Sequence, residues 1–243
     1  MIIDHKNLVA SLPYDAIIEY AYPALFYVAT DIIINPLGFG FKKGRNHPFT
    51  NAMVAYKQNK ALNAKHSPMY AFYHHYQPKT LHEAFLGYSS NNASVLNASP
   101  KMYHVPWMKA IPMGGIGHHL DETHGSHFLG PVSDALVNNE FKRLSRIFNS
   151  IARDGFDVEK QTDTIRGYFL RQGDQHRFII VGGNHRVGVL SAMESSHIPV
   201  MLHLERPRVV DREDLLNSDD LQRFHTDEAL ALFDQLFSMR TAK

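Results

Sequence analysis

The sequence contains no cysteine among its 243 residues. This absence excludes a disulfide, a thiolate zinc site and a catalytic thiol. Cysteine usage therefore does not indicate whether the protein belongs to an oxidising or a reducing compartment. Long apolar runs are lacking as well. The most apolar segment, 20–41, is interrupted by Pro23, Asp31 and Pro36. We therefore expect no membrane span, which requires about 20 predominantly apolar residues in succession.

The chain also lacks an excess of charge of either sign, because 25 Lys and Arg oppose 24 Asp and Glu and leave a formal charge of +1. An extended nucleic-acid-binding surface requires many cations that face phosphates, so the charge balance argues against one, while a local basic patch stays open. Asp4, His5 and Lys6 stand where a signal peptide requires its apolar stretch, which favours a cytoplasmic location. Hydrophobic residues make up 44% of the chain, a usual fraction for a folded globular protein.

The two parts of the chain differ in amino-acid composition and in how regular their sequence pattern is. Residues 1–125 are rich in His, Tyr, Asn and Pro, and the prolines restrict helices to short stretches, predicted at 50–62, with Thr50 as its N-cap, and at 80–87. We expect this part to form a helical or irregular segment that packs on the core. Residues 126–243 are expected to form the core domain and a C-terminal helix.

Helix and strand patterns alternate in the second part. Ser133 is the predicted N-cap of a helix that continues to Asp154, and Gly155 suits the left-handed position beyond its end. Two strands with a turn at Gly173 follow. The predicted bounds of the later elements are 164–171 and 177–181 for these strands, 185–195 for a short helix, 198–204 for a buried strand, and Thr226, as N-cap, for the last helix. This order predicts an α/β fold, with a small mixed sheet at about 126–210 and flanking helices.

The run Gly182-Gly183-Asn184-His185-Arg186 lies between a predicted strand and a predicted helix. Its residue types give the clearest indication of a functional site in the sequence. Glycines permit a sharp turn and let backbone N–H groups approach a ligand closely. The N-terminus of the helix presents unpaired N–H groups and a partial positive charge, which suit an anion. Arg186 can add a bidentate contact to a phosphate, His185 a further donor, and Asn184 a cap or a donor. The alternative is a tight turn and a capped helix without a ligand.

From about Glu140 to Leu204, the order and spacing of these pieces resemble the ParB/sulfiredoxin-like superfamily. The resemblance consists of a helix that ends in Ser-Ile-x-x-x-Gly at 150–155, a strand pair that ends at Val181, and the Gly-rich turn with its His-Arg pair. Further matching positions are Glu140, Arg143, Leu144, Leu190, Ile198, Pro199 and Val200. Members of the superfamily include CTP-binding chromosome-partition proteins, ATP-using sulfiredoxins and ADP-using free-serine kinases.

The resemblance implies an α/β fold of ParB/sulfiredoxin-like type that binds ATP, ADP or CTP. The implied nucleotide-binding residues are Gly182, Gly183, Asn184, His185, Arg186 and, near the nucleotide, Ser150. We expect a protein that transfers a phosphoryl group to a small hydroxyl-bearing metabolite or sugar, or that hydrolyses the nucleotide. His185 or Arg186 would offset charge that develops on the transferring group, and Glu140 is a candidate general base. Mg²⁺ is expected, held largely by phosphates and water.

Departures from the superfamily narrow this expectation. Asn184 stands where sulfiredoxins carry their catalytic cysteine, and an amide cannot replace a thiolate nucleophile, so sulfiredoxin activity is excluded. The short segment after Leu204 contains no convincing helix-turn-helix, so site-specific DNA binding is not expected. Glu140 has an alternative role as a solvated helix carboxylate that pairs with Arg143 three residues later.

Two other functions remain open from the sequence. One is a non-catalytic nucleotide-sensing or scaffold module, in which the aromatic cluster at 70–78 contacts a protein partner; such a cluster also commonly fills a core. The other is a metal-dependent hydrolase that uses the His-rich segment 114–127, with His118, His119, His124 and His127 as ligands. A polar loop without a metal is the alternative for that segment.

Overall fold

A computed structural model of the chain describes residues 25–41, 47–85, 102–112, 120, 122–126, 128–157, 164–203, 207–218, 221 and 224–238. The strands are β1 (Phe26–Ala29), β2 (Ile33–Ile34), β3 (Met102–Val105), β4 (Met108–Pro112), β5 (Arg166–Gln172), β6 (Gln175–Gly182), β7 (His197–Leu202) and β8 (Val209–Asp211). The helices are α1 (Pro48–Gln58), α2 (Pro68–His75), α3 (Leu81–Phe85), α4 (Asp134–Asp154), α5 (Asn184–Ala192), α6 (Arg212–Leu216) and α7 (Thr226–Phe237). Of these helices, none combines the length and the apolar character that crossing a membrane requires.

A six-stranded mixed sheet forms the centre of the α/β fold. Its order is β1-β7-β5-β6-β2, and β8 pairs with β5. The β1–β7 and β5–β6 pairs are antiparallel, whereas β2 runs parallel to β6, and β5 runs parallel to both β7 and β8. Strands β3 and β4 form a separate antiparallel pair. The sheet therefore extends beyond the predicted range of 126–210, because β1 and β2 come from the N-terminal part of the chain.

Alternate residues of β5 and β6 build the two sides of the core. The side towards α7 includes Tyr168, Leu170, Ile179, Phe233 and Leu236. The side towards α5 includes Phe169, Phe178, Ile180, Val187 and Leu190. A third cluster joins α5 to α1, α2 and α4, and includes Phe49, Met53, Tyr73, Leu144 and Val189. Helix α5 thus lies between the sheet and the outer helices, and all of its residues except Arg186 are buried.

The predicted helix after Ser133 and the predicted hairpin are confirmed. The Ser133 hydroxyl accepts a hydrogen bond from the Leu136 N–H at 3.1 Å, and α4 ends at Asp154. Gly155 follows with a φ of 76°, in the left-handed region. Strands β5 and β6 pair on either side of a turn at Gly173, whose φ is 55°. Local capping and turn signals were sufficient to place these elements.

Two predicted N-caps are wrong. The N-cap of α1 is His47, whose Nδ1 accepts from the Phe49 N–H at 3.2 Å. Helix α1 begins at the following proline, because proline suits the first helical position, and Thr50 therefore lies within its first turn. The N-cap of α7 is His225, whose N–H donates to Glu228 Oε2 at 3.1 Å, so that Thr226 is the first helical residue.

We expect Gly167→Ala in β5 to lower the free energy of unfolding by about 1–3 kcal/mol, the usual cost of overpacking. A Cβ at this position would overlap the Ile179 carbonyl oxygen and lie 2.7 Å from the Phe178 ring. Urea denaturation measures the effect. Gly182→Ala is the matched control, because its Cβ would meet no described atom within 4 Å, and we expect a change below about 0.5 kcal/mol. Equal losses in the two variants would contradict the packing of β5 on β6.

Candidate functional site

The glycine turn connects the end of β6 to the start of α5. Gly183 is the N-cap of α5, with a φ of 92° in the left-handed region that favours glycine. A Cβ added to Gly183 would lie 2.9 Å from Ile165 Cα, whereas one added to Gly182 would meet no atom of the described residues within 4 Å. One side of the turn is therefore closed and the other is open. Among the described residues, no side chain caps the helix, and its first N–H groups begin beside this open space, an arrangement that suits an anion.

His185 and Glu140 are in direct contact inside the protein. The Nε2 of His185 is hydrogen-bonded to Glu140 Oε2, and the two side chains are 11% and 2% exposed, respectively. Glu140 lies on α4 and His185 in the first turn of α5, so the pair connects these two helices. A buried carboxylate is costly unless it is paired and hydrogen-bonded, and the imidazole provides such a partner. The structure thus brings together the two residues predicted to be catalytic.

Aromatic side chains from the N-terminal part surround this pair. The Phe49 ring stacks on the His185 imidazole, with centroids 4.6 Å apart and an angle of 27° between the planes. Burial, and secondly the charge of Glu140, raises the pKa of the Tyr73 hydroxyl well above its usual value. Tyr73 is therefore a neutral phenol at neutral pH. Residues of α1 and α2 exclude water from the Glu140–His185 contact.

Asn184, the first residue of α5, is 6% exposed, and its Oδ1 has no hydrogen-bond partner among the described residues. Helical side chains tilt towards the N-terminus of their helix, which directs this amide towards the turn. Asn184 shares a helix face with Gly188, where a Cβ would lie 2.9 Å from Phe49 Cβ and 3.4 Å from the Thr50 nitrogen.

Arg186 is half-buried, and its side chain is the one on α5 that reaches the surface.

Ser150 occupies an exposed position on α4, about 15 Å further along the helix axis than Glu140. Its hydroxyl lies 3.5 Å from Asp154 Oδ2. The structure does not bring Ser150 to the contact between Glu140 and His185. Its predicted role near a nucleotide stays a prediction.

The aromatic cluster at 70–78 faces inward in part. Tyr73 is 2% exposed, and the Tyr76 hydroxyl donates to the Ala84 carbonyl oxygen. These two tyrosines hold α2 in place. The exposed residues of the cluster include His74 and His75, which leaves contact with a protein partner as a prediction.

Much of the His-rich segment 114–127, including His118, His119 and His127, lies outside the described residues. The Nδ1 of His124 lies 2.8 Å from the Ser133 hydroxyl, at the N-terminus of α4. Within the part of the chain that the structure describes, no group of three or more His, Asp or Glu side chains could hold a metal ion. The metal-dependent alternative therefore stays a prediction.

Two residues that border the site were not singled out from the sequence. Phe49 covers the His185 ring, and no sequence signal connects them, because their contact depends on how α1 packs on α5. Arg166, the first residue of β5, lies opposite Gly182 in the register of β5 and β6. The hairpin pattern was a usable signal for Arg166, since it places the start of β5 beside the end of β6.

Comparisons of the chain with protein-family models, with curated proteins and with solved structures found no match. The resemblance to the ParB/sulfiredoxin-like superfamily is thus an expectation from the sequence alone. What the site can do follows from its geometry and from the chemistry of its residues.

We expect the Glu140–His185 contact to be measurable in a double-mutant cycle. Glu140→Ala and His185→Ala each leave the other group buried without its partner, so each should lower the free energy of unfolding by about 3–5 kcal/mol. In the double variant, neither group is left buried without a partner. Its loss of unfolding free energy should therefore be smaller than the sum of the two single losses, by at least about 1 kcal/mol. Urea denaturation at neutral pH provides the four values. Strictly additive losses would contradict the contact.

Proposed function

We propose that this protein binds a nucleotide, ATP, ADP or CTP, through its phosphate groups at the turn formed by residues 182–186. The observation that carries the proposal is the uncapped N-terminus of α5 beside the open space at Gly182. Unpaired N–H groups and the helix dipole attract negative charge there, and the missing Cβ lets phosphate oxygens approach the backbone. The ParB/sulfiredoxin-like type of the α/β fold and a cytoplasmic location belong to the same proposal.

The residues of the turn would contribute in different ways. Gly182 leaves the approach open, and the backbone N–H groups of Gly183, Asn184 and His185 are the donors to the phosphates. The imidazole of His185 is engaged by Glu140, so His185 would contribute its backbone rather than its ring. Arg186 is the charged side chain nearest to the surface on α5 and would add a bidentate contact.

Transfer of a phosphoryl group to a small hydroxyl-bearing metabolite or sugar, or hydrolysis of the nucleotide, is the catalytic form of the proposal. Mg²⁺ would be held there by the phosphates and water. Among the described residues, no group of three or more His, Asp or Glu side chains could hold a metal ion. When bound, it would offset phosphate charge. The chain itself would supply the backbone donors that orient the phosphates.

Nucleotide sensing without turnover is the second candidate function, and the burial of Glu140 favours it. A general base must come within hydrogen-bond reach of the proton that it removes. The Glu140 carboxylate is 2% exposed and bonded to His185, so a substrate hydroxyl outside the protein does not reach it. In this form, the bound nucleotide would change how the protein contacts a partner protein. Release of ADP or phosphate from bound ATP would distinguish the catalytic form from sensing.

We expect Gly182→Ala to weaken ATP binding at least about tenfold, equivalent to 1.4 kcal/mol, while the fold stays intact. The added methyl group enters the space through which the phosphates approach. Calorimetric titration with ATP, ADP and CTP, each with and without Mg²⁺, measures the affinities. Gly173→Ala, at the far end of the same hairpin, is the control. Alanine is strained at its φ of 55° and lowers stability, but the variant should bind ATP like the native chain. A native protein that binds none of the three nucleotides saturably would contradict the proposed function.

A further inference from the structure

We propose, in an inference that rests on the proposed function, that Arg166 is a further ligand-binding residue of this site. We propose also that the ligand is a nucleoside diphosphate or triphosphate rather than a monophosphate. The starting point is the position of Arg166, the first residue of β5, relative to the turn that precedes α5.

Arg166 lies directly opposite Gly182 in the antiparallel pairing of β5 and β6. Opposite residues of such a pair point to the same face of the sheet, with Cβ positions about 5 Å apart. A Cβ at Gly182 would meet no atom of the described residues within 4 Å, so the Arg166 side chain starts beside a space that these residues leave open. The register shifts between Arg166 and Gly167. Such bulges often re-aim a side chain next to a functional site.

The guanidinium of Arg166 is oriented by a hydrogen bond and is not neutralised by any residue that the structure describes. Its side chain is exposed, and its Nε donates to Thr164 Oγ1 at 2.9 Å. This bond leaves the terminal nitrogens available for a bidentate contact with phosphate oxygens. Among the described residues, no carboxylate pairs with Arg166. By contrast, the Nε of Arg171 on the same strand lies 2.6 Å from Asp211 Oδ2. Arg166 therefore adds positive charge at the open side of the turn.

The two sets of donors are separated across the turn, and this separation indicates the ligand class. The backbone donors belong to the start of α5, which follows β6, whereas Arg166 lies on the neighbouring strand, whose backbone is about 4.8 Å from that of β6. A single phosphate engages one set of donors, whereas a chain of two or three phosphates spans both. We therefore expect affinity to rise with the number of phosphates.

Calorimetric titration of AMP, ADP, ATP and pyrophosphate at constant ionic strength tests this proposal. The native chain should bind ATP at least about tenfold more tightly than AMP. Arg166→Gln should lose about tenfold in ATP affinity and less than about twofold in AMP affinity, because hydrogen bonds to charged groups are the strong ones. Lys57→Gln is the control. It removes the same charge beyond the other end of α5, where Lys57 Nζ lies 3.1 Å from Glu194 Oε1, and should bind like the native chain.

The outcomes separate this proposal from the proposed function. If the native chain binds ATP and Arg166→Gln binds it equally well, Arg166 is not a binding residue, and the proposal is overturned while the proposed function stands. If the native chain binds AMP as tightly as ATP, the polyphosphate class is wrong. If it binds none of the probes, the proposed function fails, and this proposal fails with it.

A second variant keeps the proposal testable if Arg166→Gln does not fold. Thr164→Val preserves the charge of Arg166 but removes the hydroxyl that orients its guanidinium. We expect it to lower ATP affinity about threefold and to leave AMP affinity unchanged, because Arg166 keeps its charge and loses only the hydrogen bond that orients its guanidinium. Unchanged affinity for ATP in Thr164→Val, together with native folding, would overturn the role of the oriented guanidinium.

Discussion

The buried contact between Glu140 and His185 is the constraint on which the candidate site depends. It ties α4 to the first turn of α5, and the Phe49 ring covers it from α1. Such a pair adds little net stability, because the cost of desolvating both groups offsets most of their attraction. Its consequence is geometric. It fixes the start of α5, so that the backbone donors after Gly183 are oriented before any ligand arrives, and preorganised donors cost no rearrangement on binding.

Much of the fold could be predicted because its signals are local. Ser133 and Gly155 mark the two ends of α4, and Gly173 marks the hairpin, each through the conformation of a few residues. The caps at His47 and His225 were missed because histidine is not among the preferred N-cap residues. The places of β1 and β2 in the sheet could not be predicted. Their pairing joins residues 26–34 to strands more than 140 residues away, and nothing in their own sequence specifies those partners.

The sequence identified individual residues of the candidate site but not their arrangement in space. Glu140 and His185 were each singled out, yet their contact depends on the packing of α4 against α5, and the sequence offered Glu140 a local partner in Arg143. The place of Arg166 shows a similar limit. Counting back from the hairpin turn puts Val181 opposite Arg166, and the bulge in β6 moves the pairing by one residue to Gly182. A bulge of this kind leaves no pattern in the sequence.

The most direct measurement is the two-dimensional amide NMR spectrum of the isotope-labelled full chain during a titration with ATP, because it reports on each backbone N–H separately. If phosphates bind at the start of α5, the amide signals of Gly183, Asn184 and His185 will shift most and will saturate together, whereas that of Gly173 will stay in place. Saturable binding that leaves the amides of Gly183, Asn184 and His185 unchanged and shifts signals elsewhere would contradict a phosphate site at this turn.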